Sequence, residues 1–341
     1  MSKVINQHFV PRSYLKYFAN KRGKEYETNV YDKETEKSFP CNIKGVASSR
    51  YFYDFPTKDE IKRDLEEKGE IEAISSLEQL ENIEIQAVEK FFSELEGDFK
   101  SKLDNIRARY AMSPEPFEQN EVITKVEKVA LATNLAYQFT RTRDIRENFN
   151  EMSDKFLQHV VDRMVNEKFP ELEPGAVKVV RDEKYDGLNH AAFLFNKEFS
   201  EFPMILLNHI WTIGVNETDI PFYTSDNPVV KYGHKEDKFF SNAGIASPGI
   251  EIAFPISEKL LLILREKSYF GVEAQVLYGN KFISMEVENV EFYNWLQVTQ
   301  SNRQIYSSNP NFELINKMRK ENPDSLKRNS KIEVIAGGKK L

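Results

Sequence analysis

The middle of this chain carries its apolar residues at helical period, and segments patterned as strands bracket it on both sides. The first 55 residues read as strands and turns: Asn29-Val30-Tyr31-Asp32 and Phe39-Pro40-Cys41-Asn42-Ile43 form candidate hairpin arms around residues 33–37, and Ser48-Ser49-Arg50-Tyr51-Phe52-Tyr53 is strand-like. From about Lys58 the period changes. Residues 71–103 place Leu77, Leu80, Ala87, Val88, Phe91 and Leu95 on one helical stripe, and Ser113-Pro114-Glu115-Pro116 breaks it. A second helix is expected over residues 119–149 and a third over 150–168, ending before Pro170. Beyond Leu172 the texture is β-rich, with strands expected at residues 190–196, 210–215, 222–224, 250–254 and 260–265. An amphipathic helix over 287–299 and a short strand at 303–306 follow. This order predicts an α+β fold in which long central helices pack against a mostly antiparallel sheet. The regions are 1–170, strands plus helices; 171–320, β-rich and closing on the first as one unit; and 321–341, a polar tail.

Composition enters as a set of exclusions. With 40% apolar residues, 25 Phe and 15 Tyr, the 341-residue chain can bury a large core. Cys41 is the only cysteine, which excludes an intramolecular disulfide and any zinc site that needs two thiolates, and fits a cytoplasmic setting. No run approaches the roughly 18 apolar residues of a membrane helix, so no membrane partner is expected. The net charge of −7 means that binding DNA or RNA would have to rest on a local basic patch, for which Arg141, Arg143 and Arg146 are the candidates.

Several polar residues stand where local patterning does not call for them. His8, in Gln7-His8-Phe9-Val10-Pro11, is expected on a short strand before a helix starting near Arg12. Its bland reading is a chance histidine at a tied-down terminus, its sharper one a proton carrier. Glu84 falls on the apolar stripe of the 71–103 helix, so it needs a buried partner, either an arginine or a site. Asn134, Gln138 and Arg141 form one polar seam through a largely apolar helix, and the planar fork of Arg141 suits a carboxylate or a phosphate. Thr224-Ser225-Asp226-Asn227-Pro228 reads either as a strand-ending turn or as a strand delivering Asp226 to a site walled by His209 and Trp211. His159, His190 and His234 read as structural or surface residues. Nucleophile elbow, Walker, Rossmann, H-E-x-x-H and C-x-x-C signatures are absent, and no PD-(D/E)xK pattern is evident.

Gln7-His8-x-Val10-Pro11-x-x-Tyr14-Leu15-x-x-Phe18 resembles the N-terminal hallmark of a bacterial family known as domain of unknown function 4238. So do Ile83-Glu84, Gln138-x-x-Arg141-Thr142, Phe222-Tyr223-Thr224-Ser225-Asp226-Asn227-Pro228 and Phe254-Pro255-Ile256-Ser257. Arg143 departs from the pattern, where a proline is expected after Arg141-Thr142. The resemblance strengthens the site reading of His8, Glu84, Gln138, Arg141 and Asp226, and its genomic setting implies a toxin or phage-defence role.

The expected chemistry is phosphodiester cleavage in nucleic acid. His8, Glu84 and Asp226 are the catalytic candidates, with Glu84 and Asp226 also holding Mg²⁺ or another divalent cation. Gln7, Gln138, Arg141, Thr224, Ser225 and Asn227 would bind substrate, Arg141 clamping the phosphate. The alternative is a non-catalytic sensor or binding module for an anionic small molecule or partner protein. Both readings require His8, Glu84, Arg141 and Asp226 to share one cleft.

Overall fold

The computed structural model describes residues 3–79, 84–113, 115–173, 175–235, 244–327, 335–336 and 339–340. Its first half runs β1 (Asn6–His8), α1 (Arg12–Leu15), β2 (Asn20–Arg22), β3 (Glu25–Asp32), β4 (Lys37–Asn42), β5 (Ser48–Arg50), α2 (Lys58–Lys68), α3 (Ile71–Gln79), α4 (Ala87–Met112), α5 (Lys125–Thr140) and α6 (Arg143–Lys168). It continues with α7 (Asp186–Leu194), α8 (Glu201–Leu207), β6 (His209–Asn216), β7 (Thr224–Ser225), β8 (Val230–Gly233), β9 (Ile250–Pro255) and β10 (Leu260–Glu266). Then come α9 (Lys267–Tyr278), β11 (Phe282–Met285), α10 (Val287–Gln300), β12 (Gln304–Ser307) and α11 (Glu313–Glu321). The helix starts follow from capping chemistry. Thr57 with Glu60 opens α2 and Thr124 with Glu127 opens α5, each as a reciprocal capping box, and Gly69 closes α2 in the left-handed region.

Two sheets organise the α+β architecture. The first has the order β11-β6-β10-β9-β8 and is antiparallel except for the β11–β6 pair. β6 and β9 are buried along their whole length, and β10 over most of it, which is why their sequences are near-continuous apolar runs. The second sheet is fully antiparallel. β4 takes one edge of β3, β2 and β12 share the other, and β7 pairs with β12. Its members come from both ends of the sequence, and the main apolar cluster likewise runs from Phe9 to Tyr306. A division of the chain near residue 170 therefore does not separate two cores.

The structure corrects three expectations. Residues 190–196, expected as a strand, lie mostly in α7. That helix packs down on the chain at Asp54, where a Cβ on Gly187 would come 2.0 Å from the Asp54 carbonyl oxygen. The expected helix over 119–149 is two helices that break at Arg141-Thr142, where the Thr142 hydroxyl caps α6, and residues 150–168 continue α6. The stripe over 71–103 is not one helix, because α3 ends at Gln79 and α4 begins at Ala87. Leu80 and Ile83 lie outside the described residues, and Glu84 stands before α4 in a non-helical stretch. No helix among the described residues is long and apolar enough to cross a membrane.

Candidate functional site

Alternation along β1 sends Gln7 and His8 to opposite sides. The Gln7 side chain is buried: its Oε1 accepts from the Tyr53 backbone N–H at 2.5 Å, and its Nε2 donates to Asp54 Oδ1 at 2.5 Å. Gln7 thus stitches the terminus to the segment after β5 and has no spare edge for a ligand. His8 is half-buried, and its Nε2 is buried with no hydrogen-bond partner among the described residues. Burial lowers its pKa to about 4, helped by the nearby Arg12 and Arg141 charges and opposed by the backbone at Ile43 and Asn6. At neutral pH His8 is therefore an uncharged ring with a free nitrogen.

The polar seam on α5 meets partners, though not the expected ones. Gln138 Nε2 and Arg141 Nε both donate to the Phe9 carbonyl, at 3.0 and 3.2 Å, and Arg141 Nε also reaches Gln138 Oε1. Arg141 is 2% exposed, lies over the Phe92 ring at 4.5 Å, and pairs through Nη2 with Glu96 Oε1 at 2.9 Å. Asn134 turns back on its own helix and donates to the Ala130 carbonyl. Glu84 is the clear misassignment: it is exposed and pairs with Lys90, so it is neither buried nor a partner of Arg141. Arg143 pairs with Glu147, and Arg146 stacks on Phe52 and donates to its carbonyl, so the expected basic patch is spent on internal contacts.

The Thr224–Pro228 segment is a set of staples. Thr224 Oγ1 meets the Tyr14 hydroxyl at 2.7 Å, and that hydroxyl donates on to the Pro255 carbonyl. Ser225 Oγ donates to Gln297 Oε1, and Asn227 Nδ2 donates to the Gln300 carbonyl. The Asp226 carboxylate accepts three backbone N–H groups, from Asn302, Arg303 and Gln304, at 2.8 to 2.9 Å. Full burial pushes its pKa up to about 6, against the pull of those donors and of Lys33. Asp226 lies at a cleft of about 510 Å³ that also touches Phe9, Ala47, Ser48, Lys33 and Arg143. His209 and Trp211 are not among the residues of that cleft; they bond the Ile205 and Leu206 carbonyls beside the other sheet.

The site that does assemble lies at the start of α4. Glu89 is half-buried, and its pKa rises to about 7 because of burial and the neighbouring Glu96 charge, with Arg141 and Arg12 pulling the other way. The same two guanidinium groups act on His8 and on Glu89, and Arg12 is exposed. Arg141 bonds Glu96 and Gln138 directly, and the Arg12 and Arg141 charges reach both His8 and Glu89. Glu89 and Glu96 are seven apart on one helix and so share a face, a spacing legible in the sequence. A divalent cation does not fit the expected donors, since Asp226 is saturated by N–H groups and Glu84 is paired at the surface. Among the described residues no group of three or more His, Cys, Asp or Glu is arranged to hold a metal.

A family model described as "protein of unknown function (DUF4238)" matches residues 6–311 of this sequence. The chain belongs to the DUF4238 family. Neither the curated proteins nor the solved structures hold a match. In this DUF4238 chain the departure at Arg143 is structurally mild. Arg143 is the first residue of α6, after the Thr142 cap, which is the helical position that accepts proline best.

Proposed function

We propose that this DUF4238 protein is a phosphodiesterase that cleaves nucleic acid, using His8 and Glu89 for proton transfer in place of the expected four-residue cleft, which the exposed Glu84 does not join. One observation carries the reading: the Arg12 and Arg141 charges act on both His8, an uncharged ring, and Glu89, a carboxyl group poised near neutrality. Arg12, being exposed, would receive the phosphate, while Arg141, neutralised by Glu96, would hold the Phe9 carbonyl and so the strand that carries His8. Uncharged His8 would take the proton from an attacking water or 2′-hydroxyl as its oxygen bonds to phosphorus. Protonated Glu89 would donate to the leaving 5′-oxygen as the P–O5′ bond breaks. No step is routed through a metal ion. The setting proposed is the bacterial cytoplasm, as a toxin or phage-defence effector.

The test is purified full-length protein with end-labelled RNA and DNA strands, in EDTA and with Mg²⁺ or Mn²⁺. Cleavage is expected, and His8→Ala and Glu89→Gln should each slow it by about a hundredfold or more while remaining folded. If the wild-type protein leaves both polymers intact under every condition, the reading fails.

A second reading rests on the cleft over Asp226, where Lys33, Arg143, Arg303 and Lys327 stand beside Glu34, Glu36, Glu147 and Asp226. On that reading the protein binds an anionic small molecule without turning it over. Saturable binding that Arg143→Ala weakens, with no product formed, would support it over the first.

A further inference from the structure

A separate polar cluster sits where β9, β10, α9 and α10 meet. Glu251 and Arg265 are cross-strand neighbours, and Glu251 is buried. Arg265 Nε donates to Glu251 Oε2 at 2.7 Å, the Tyr293 hydroxyl donates to Glu251 Oε1 at 2.9 Å, and His234 Nε2 lies 3.6 Å from Oε2. The carboxylate is thereby fully used. The arginine is not. Its Nη1 is buried and has no hydrogen-bond partner among the described residues, although a charged donor left without an acceptor is costly.

The guanidinium is held in place as well as incompletely bonded. The rings of Phe270 and Tyr278, both on α9, lie 5.9 and 5.8 Å from it, and Phe270 also meets His234 edge-on. Arg265, Glu251, His234, Tyr293, Phe270 and Tyr278 all line one cavity of about 380 Å³. That volume falls in the range of small-molecule sites. A fixed, planar, under-bonded guanidinium beside aromatic walls suits an oxyanion carried on an apolar body. Charge decides which oxyanion. Arg265 is already balanced by Glu251, so each negative charge that a ligand brings adds to a neutral pair, and a buried dianion would be compensated least.

We propose that this cavity is a binding site for a small monocarboxylate with an apolar or aromatic body, its carboxylate bonded to the Arg265 guanidinium. It is independent of the His8–Glu89 cluster and of any phosphodiesterase activity.

Calorimetric titration of the full-length protein with phenylacetate, neutral phenylacetamide and inorganic phosphate tests the assignment. Phenylacetate should bind saturably, one to one, and the amide about ten- to a hundredfold more weakly, as expected for loss of a charge-assisted bond. Arg265→Met should abolish binding. Ala274→Trp keeps the Arg265–Glu251 pair and fills the cavity, so it should also abolish binding and it remains informative if the arginine variant does not fold. Absence of saturable phenylacetate binding, wild-type affinity in Ala274→Trp, or phosphate binding as tightly as phenylacetate would each overturn the proposal.

Discussion

Asp226 shows how a residue that looks chemical can be fully employed in architecture. Its two oxygens terminate three backbone N–H groups at the turn into β12, and Lys33 lies close enough to help balance its charge. Asp226→Ala should therefore cost about 3 kcal/mol in urea denaturation, since it orphans buried donors, and Asp226→Asn should recover part of that because one acceptor survives. Glu89 is the opposite case. Its folded pKa of about 7 lies above the ordinary glutamate value, so between roughly pH 4.5 and 7 the folded state binds more protons than the unfolded state. The contribution is fully present below 4.5 and is lost as pH rises through 7. Glu89→Gln should match the wild type in stability at pH 4.5 and exceed it at pH 8, by about 1 kcal/mol once solvent screening of this half-exposed group is allowed for. Denaturation midpoints at the two pH values check this, and equal differences at both would contradict it. The sequence pointed to Glu84 because a helical stripe was drawn through Glu84–Gln86, where the chain is not helical. Glu89 escaped because burial of one helical carboxylate depends on what packs over it, which only the tertiary structure reveals.

At the scale of elements, the two motifs that stand out in the sequence meet through a single pair of hydroxyls. Tyr14 on α1 and Thr224 on β7 are fully buried and bonded at 2.7 Å, and the tyrosine also reaches β9 through the Pro255 carbonyl. Three elements distant in sequence are thus pinned at one point. Tyr14→Phe and Thr224→Val should each cost about 1 kcal/mol. Their double mutant should cost clearly less than the two added together, because the shared bond is lost only once. An additive cycle would mean that the pair is not coupled. Strands were well foretold where both faces are buried, as in β6, β9 and β10, since continuous apolar runs survive without tertiary information. The short run at 190–196 misled for the same reason. Its apolar residues also suit a helix, and the close approach of Gly187 to the Asp54 backbone, which only packing reveals, accompanies the helical answer.

For the molecule as a whole, the decisive pairing is β3 with β12 at residues 29–32 and 304–307. The α+β class was legible from the order of periods, but the partnership of an early strand with a late one was not, because register across such separation depends on side-chain fit and not on local pattern. Produced separately, residues 1–170 and 171–341 should each lack cooperative thermal unfolding, since each holds only one side of this sheet. Co-expression should restore a single transition. A sharp unfolding transition from either fragment alone would refute the single-core description.

The same pairing has a consequence in time. A chain emerging from a ribosome at about 5–20 residues per second exposes β3 well before the distant strand that covers its edge has been made. Until then an unpaired edge and part of the apolar cluster beneath it stay open to solvent. Closure of that edge is an event of high contact order and is expected to be slow. For this protein the interval between synthesis and closure is when chaperones and proteases have most to work on.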